Sequence, residues 1–216
     1  MRILLINGSP KNSNSSSGLV MNELSKQMGD SNEYITINTL GLGKKIFLDR
    51  FTGVDIAVFA FPLYVDGIPS HLLRLLYESR DELRDISPNV VVYAIANNGF
   101  YEGEQNALAL NMIRHFCDAA GVKWGQGLGI GGGGMLNVSP VGVGPLKDIG
   151  IALSDFAANI NKNKSGDNVF TRPNFPKLLY KMGAHFNFIQ AAKKNGIKRK
   201  ALYSRHLMMQ SMGNSK

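Results

Sequence analysis

The chain has 216 residues, 44% hydrophobic and 19% charged, which suits one sizeable α/β domain with an appendage and is short for two independent domains. No apolar run reaches the roughly 18 to 20 residues that span a bilayer as a helix, and a single cysteine, Cys117, excludes an intrachain disulfide and a multi-cysteine metal site, as expected of a cytoplasmic protein. The formal charge of +8 is uneven: residues 1–170 carry 14 Lys and Arg against 16 Asp and Glu, whereas residues 171–216 carry ten and no acid, so the core lacks the basic surface of a nucleic-acid binder and only the tail prefers an anionic neighbour.

Residues 2–7 form an apolar run too short for a signal-peptide core and predict a buried first strand. Helical spacing follows over 18–28, with a turn signal at Gly29-Asp30. A short second strand is predicted at 34–37 and a long apolar third at 55–61, the kind of run that suits a strand buried on both faces. Between them, Gly41-Leu42-Gly43-Lys44-Lys45 lacks phosphate-loop spacing and reads as a surface segment. After Pro69, Leu72, Leu73, Leu76 and Leu83 mark a helix that packs on the sheet. A fourth strand at 90–96 leads through a polar loop to a helix at 104–120, with Leu108, Met112, Phe116 and Ala119 on one face, Cys117 as a small core residue and Gly121 as C-cap. A short fifth strand near 128–130 lies in a glycine-rich stretch, and a helix over 143–161 completes five β/α units. Residues 1–162 are therefore read as one domain. Residues 163–216 are read as a polar linker and a basic helical tail, whose helix at 176–194 aligns Leu179, Met182, Phe186 and Ile189.

In an open α/β sheet, ligands bind where loops leave the carboxyl ends of the strands. The first such loop runs from Asn7 to Ser17, with five serines and two asparagines between Ser9 and Ser17. It joins a buried strand to a helix start, so backbone N–H groups and the helix dipole converge on a spot suited to an anion. Lys11 is its one cation, and no Gly-Lys-Ser/Thr ending follows, which favours one terminal phosphate over a magnesium triphosphate. The plain alternative is a solvated, serine-rich helix cap. The second loop, Phe61-Pro62-Leu63-Tyr64-Val65-Asp66-Gly67-Ile68-Pro69, is stiffened by proline and offers an aromatic to a planar ring, the plain alternative being a turn that covers a core edge. The third, Asn97-Asn98-Gly99-Phe100-Tyr101-Glu102-Gly103, offers amide donors, close backbone approach at glycine and an aromatic lid, the plain alternative being an ordinary strand-to-helix turn.

The run Gly127-Leu128-Gly129-Ile130-Gly131-Gly132 has dinucleotide spacing, but it follows the fifth strand and opens no helix. His71, His115, His185 and His206 share no ligand spacing and read as structural or exposed, so no metal site is expected. Glu102 and Glu104 read as a polar helix start.

Together, Asn7-Gly8-Ser9-Pro10, Asn14-Ser15 and Phe61-Pro62-Leu63-Tyr64 resemble the NADPH-dependent FMN reductase branch of the flavodoxin-like superfamily, over roughly residues 1–160. The resemblance implies a doubly wound five-stranded parallel sheet in the order 2-1-3-4-5, with helices on both faces. It implies FMN as cofactor, with Ser9, Lys11, Asn14, Ser15 and Ser16 on the phosphate, Pro62, Leu63, Tyr64 and Val65 along the isoalloxazine, and Asn97, Asn98, Gly99 and Phe100 at its pyrimidine edge. The expected activity is electron transfer from NADH or NADPH to a small acceptor such as a quinone or free flavin, with no protein acid–base residue named. A flavodoxin-type carrier is the main alternative, disfavoured because such carriers are strongly acidic and this core is near neutral; a flavin-free regulatory module is the other. The basic tail is expected to pack on the domain or on a second subunit of a homodimer, with an anionic membrane surface as the other reading.

Overall fold

The computed structural model describes residues 1–11, 13–198 and 201–202, so His206 lies outside the described residues. One compact unit runs from Met1 to Asn174 and a second begins at Phe175. The first contains six parallel strands: β1 (Arg2–Asn7), β2 (Glu33–Asn38), β3 (Ile56–Pro62), β4 (Val91–Asn97), β5 (Lys123–Ile130) and β6 (Val169–Thr171). They lie in the order β2-β1-β3-β4-β5-β6. Helices α1 (Ser16–Met28), α2 (Lys44–Asp49), α3 (Ser70–Ile86), α4 (Ala107–Ala120) and α5 (Lys147–Asn161) connect them.

Both faces of the sheet are covered, which is why β3 and β4 read as unbroken apolar runs. Val20, Met21 and Leu24 of α1 pack with Ile149, Leu153 and Phe156 of α5 over Ile3, Val58 and Tyr93. On the other face, Phe47 of α2, Leu72 and Leu76 of α3, and Leu110 and Ile113 of α4 bury Leu4, Phe59 and Val92. Two helices are bounded by local devices. Ser15 caps α1 by accepting from the Gly18 N–H, and Gly29 leaves it at φ +82°. Gly121 closes α4 in the left-handed region, at φ +65°, while the Val122 N–H returns to the Cys117 carbonyl.

Three sequence expectations need correction. The sheet has six strands, not five: residues 164–168 run alongside β5 and then pair with it. Gly166 N–H donates to the Gly125 carbonyl at 3.0 Å, and Gly127 N–H donates to Asn168 Oδ1 at 3.0 Å. Leu128, Gly129 and Ile130 then face Val169, Phe170 and Thr171 in parallel register. A three-residue strand has no alternation to reveal it. The segment at 41–45 does lie at the surface, exposed or half-exposed, and leads into α2, which buries Phe47 and Leu48. On α4 the buried stripe is Ala109, Leu110, Ile113, Cys117 and Ala120, whereas Leu108 is 58% exposed. Strand β5 also begins earlier than expected, at Lys123, and carries a bulge opposite Val92 and Ala94.

In the second unit, α6 (Lys177–Lys194) ends at Asn195-Gly196, with Gly196 at φ +72° and Ile197 N–H on the Ala192 carbonyl. Among the described residues no helix is long and apolar enough to cross a membrane.

Candidate functional site

With β2 on one side of β1 and β3 on the other, the direction of winding reverses between β1 and β3, and the crevice of such a sheet opens there. The loops after β1, β3 and β4 converge at that end, and a buried polar network ties them together. Asn97, the last residue of β4, is 4% exposed. Its amide donates to Ser17 Oγ at 2.8 Å, at the start of α1, and to the Phe61 carbonyl at 3.0 Å, at the end of β3. One side chain thus joins all three loops.

The first loop is built by Asn7, whose Oδ1 accepts from Ser9 N–H at 3.0 Å and whose amide reaches Ser15 Oγ at 3.4 Å, pinning both ends. Gly8 is required for packing: a Cβ there would lie 2.7 Å from Leu72 Cδ2 and 3.0 Å from Phe61 Cβ. Ser9 Oγ accepts from Lys11 N–H at 3.2 Å, and Ser15 Oγ accepts from Gly18 N–H at 3.0 Å. Both hydroxyls therefore retain a proton to donate. Ser16 differs, because its hydroxyl donates to the Gly133 carbonyl at 3.1 Å and accepts from the Asn137 amide at 2.9 Å. Its side chain tethers α1 to the turn after β5.

In the second loop, Pro62 and Leu63 are half-buried, and Leu63 N–H donates to the Asn97 carbonyl at 2.8 Å. Tyr64 and Gly67 exchange backbone bonds of 2.9 and 3.0 Å around a two-residue tip. The tip residues Val65 and Asp66 both have positive φ, +48° and +59°, the type I′ arrangement. Val65 is fully solvent-exposed there, a strained conformation for a β-branched residue, and Tyr64 is half-exposed beside it. At the foot of this loop, His71 has a buried Nε2 without a partner in the described residues, and burial holds its pKa below the usual histidine value.

In the third loop, Asn98 is buried and internally satisfied: its amide donates to the Glu102 carbonyl and its Oδ1 accepts from Phe100 N–H. Gly99 and Phe100 are exposed. The glycine run packs against this loop with no room for side chains. A Cβ on Gly131 would meet the Tyr101 carbonyl oxygen at 2.2 Å, and one on Gly133 the Asn98 carbonyl oxygen at 2.8 Å. The dinucleotide-like spacing is thus the trace of close packing against the third loop and the segment of Asn168, Phe170 and Pro173.

The first loop suits an anion. The first-turn N–H groups of α1 have no partner inside the helix, and the turn contains no acid. Lys11, Ser13 and Asn14 are exposed around them, with Asn14 at φ +51°. A cleft of about 220 Å³ lined by Asn7, Ser13, Asn14 and Ser15 opens on one side of this helix start. A wider one of about 610 Å³, lined by Asn14, Leu136 and Asn137, opens beside the turn after β5. The scaffold roles of Asn7, Ser17 and Asn137 are not evident from the sequence; an asparagine ending each of β1 and β4 is the one available signal. Elsewhere Cys117 is buried on α4, and burial, then the Asp118 charge, raises its thiol pKa well above the usual value. Among the described residues no three His, Cys, Asp or Glu side chains form a metal cluster.

No protein-family model and no curated protein matches the sequence. Solved structures do match. An NADH:FMN oxidoreductase is 18% identical, with a TM-score of 0.57 over 76% of this chain and 90% of that one. An FMN-dependent NADH-azoreductase from Bacillus anthracis is 15% identical, with a TM-score of 0.57 over 74% and 99%. A flavodoxin from Streptococcus pneumonia TIGR4 is 13% identical, with a TM-score of 0.54 over 76% and 99%. Strand order, crossover helices and these likenesses agree that the chain has the flavodoxin-like fold.

Proposed function

We infer that the chain is a flavin-dependent oxidoreductase that takes electrons from NADH or NADPH, through bound FMN, to a small acceptor such as a quinone or free flavin. The observation that carries this reading is the Asn97 network, which brings an acid-free helix start and two aromatic-bearing loops to the switch point of a flavodoxin-like sheet. The residues present fit FMN. The phosphate would be held by the backbone N–H groups of Ser15 and Ser16, the free hydroxyl protons of Ser9 and Ser15, the Asn14 amide and the Lys11 ammonium. Ser16 contributes its backbone, because its hydroxyl is committed to Gly133.

Pro62, Leu63, Tyr64 and Val65 supply the wall along the flavin ring. Asn97 and Asn98 would act as its frame, since their side chains are already bonded, with the exposed Gly99 and Phe100 beside the ring edge. When bound, the flavin supplies the two-electron chemistry between nicotinamide and acceptor. This chain's residues orient it, exclude water from one face and leave the other accessible.

The test is to purify the full chain, supply FMN, record the visible spectrum and follow NADH and NADPH oxidation with a quinone. Failure to retain FMN refutes the reading. Retained FMN without nicotinamide oxidation refutes the enzyme and leaves an electron carrier.

A further inference from the structure

The strand that extends the sheet to six delivers a cation to the ligand end of the fold. All six strands run parallel, so the residue after β6 emerges at the same end as the loops after β1, β3 and β4. That residue is Arg172, and the backbone around it is fixed to the first unit. The Thr171 carbonyl accepts from Gly131 N–H at 2.9 Å, the Pro173 carbonyl accepts from the Tyr101 hydroxyl at 3.2 Å, and Asn174 N–H donates to the Pro145 carbonyl at 2.7 Å. The Arg172 guanidinium lies over the Tyr101 ring of the third loop, 5.8 Å from its centroid. It is exposed and forms no ion pair with any described carboxylate. The second unit cannot supply a carboxylate side chain, because residues 171–216 contain no Asp or Glu.

An aromatic face holds a guanidinium by its plane and leaves its N–H edge for an oxyanion, the geometry in which arginine binds phosphate by two parallel bonds. Strand β6 lies two strands from β4, about 10 Å across the sheet. On the reading of the chain as a nicotinamide-oxidising flavoprotein, on which this inference rests, the nicotinamide meets the flavin beside the loop after β4. Its phosphates lie one ribose away from the ring, a reach of the same order. We propose that Arg172 binds a phosphate of the nicotinamide dinucleotide, either the pyrophosphate or the 2′-phosphate of NADPH. Lys11 cannot serve the same group, because its loop follows β1 and β3, β4 and β5 lie between the two cations. An uncharged quinone gives the guanidinium nothing to pair with.

The full chain supplied with FMN is to be titrated with NADP+ and NAD+, which bind without turnover, and its oxidation of NADPH and NADH by a quinone followed in parallel. Arg172→Gln should weaken dinucleotide binding, and raise KM for the donor, by about tenfold to a hundredfold, the range for losing a hydrogen bond to a charged group. Its kcat, quinone KM, FMN affinity and melting temperature should stay as in the wild type. Arg172→Lys should recover part of the loss, as a point charge without the planar fork. Wild-type dinucleotide binding should also weaken with salt more steeply than that of Arg172→Gln. A loss confined to NADP+ assigns the guanidinium to the 2′-phosphate and an equal loss for both assigns it to the pyrophosphate; each supports the proposal. Wild-type dinucleotide affinity in Arg172→Gln overturns it, whether the melting temperature falls, which leaves the stacked guanidinium a structural part, or only the quinone KM rises, which assigns the cation to the acceptor. A wild-type chain that binds neither dinucleotide overturns it as well. Failure of the underlying reading shows separately, as a chain that retains no FMN, and the NADP+ titration of the flavin-free chain then decides the role of Arg172 by the same comparison.

Discussion

Asn97→Ala tests whether one buried amide holds the three loops together. Asn97 is 4% exposed and Ser17 1% exposed, so water cannot replace the lost donor without opening the site. The substitution removes bonds of 2.8 Å to Ser17 Oγ and 3.0 Å to the Phe61 carbonyl. Leaving a buried acceptor unpaired costs about 1 to 3 kcal/mol, and Ser17 can recover part by turning its own hydroxyl towards Phe61. A net loss of about 3 kcal/mol follows, equivalent to a fall in melting temperature of roughly 6 to 12 °C for a domain of this size. Asn97→Asp keeps the shape but sets a carboxylate against the Phe61 carbonyl, so it should destabilise more at pH 7. It should recover as the pH falls and the new carboxyl protonates in place. Urea denaturation of both variants reads this out as a shifted midpoint at constant slope. A loss below about 0.5 kcal/mol for Asn97→Ala, within the range of ordinary surface substitutions, would refute the reasoning.

Other substitutions probe the surroundings. Gly103→Ala places a Cβ 2.3 Å from the Thr171 carbonyl oxygen and 2.6 Å from that of Gly129. Backbone cannot yield as a side chain does, so a loss of about 3 kcal/mol is expected in a thermal melt, and an unchanged melt counts against the close contact. Val65→Asn replaces a β-branched residue at φ +48° with one that tolerates it and should raise stability by roughly 1 kcal/mol. If Val65 lines the flavin ring, the same variant should bind FMN more weakly in a fluorescence titration. Cys117 has its thiol pKa raised in the folded state, by burial first, so its contribution is intact below the unfolded value of 9.0 and lost as pH rises above it. Between pH 8 and 10 the wild type should therefore lose roughly 1 kcal/mol more stability than Cys117→Ala, and the native thiol should resist alkylation at pH 8.

The parts of this fold that were legible in the sequence are those in which local pattern and burial agree. Strands β1, β3 and β4 are buried on both faces, and their apolar runs say so. Gly121 announces the end of α4 because only a left-handed residue allows the chain to turn directly into β5. Strand β6 was not legible, because its three residues become a strand only through pairing with a segment some forty positions earlier. The core-facing side of α4 lies one step around the helix from the expected one: Ala109, Leu110, Ile113, Cys117 and Ala120 are buried, Met112 and Phe116 flank them half-buried, and Leu108 faces out. At the site, the serine-rich loop was visible as donors after a strand. Which hydroxyls are already committed depends on Gly133 and Asn137, more than a hundred residues away, and no local pattern reports them.

The turn after β5 has a dynamic consequence. Gly131, Gly132 and Gly133 donate in succession to the carbonyls of Thr171, Phe100 and Asn98, so three consecutive amides are locked by the edge strand and the third loop together. Gly131 and Gly133 also lie against the Tyr101 and Asn98 carbonyls, and Gly132 against the Pro173 ring, closely enough that a Cβ on any of them would clash. These amides should then exchange with solvent in a single opening event that lifts the third loop and β6 as one lid, and the free energy of that event sets how often this corner of the crevice breathes.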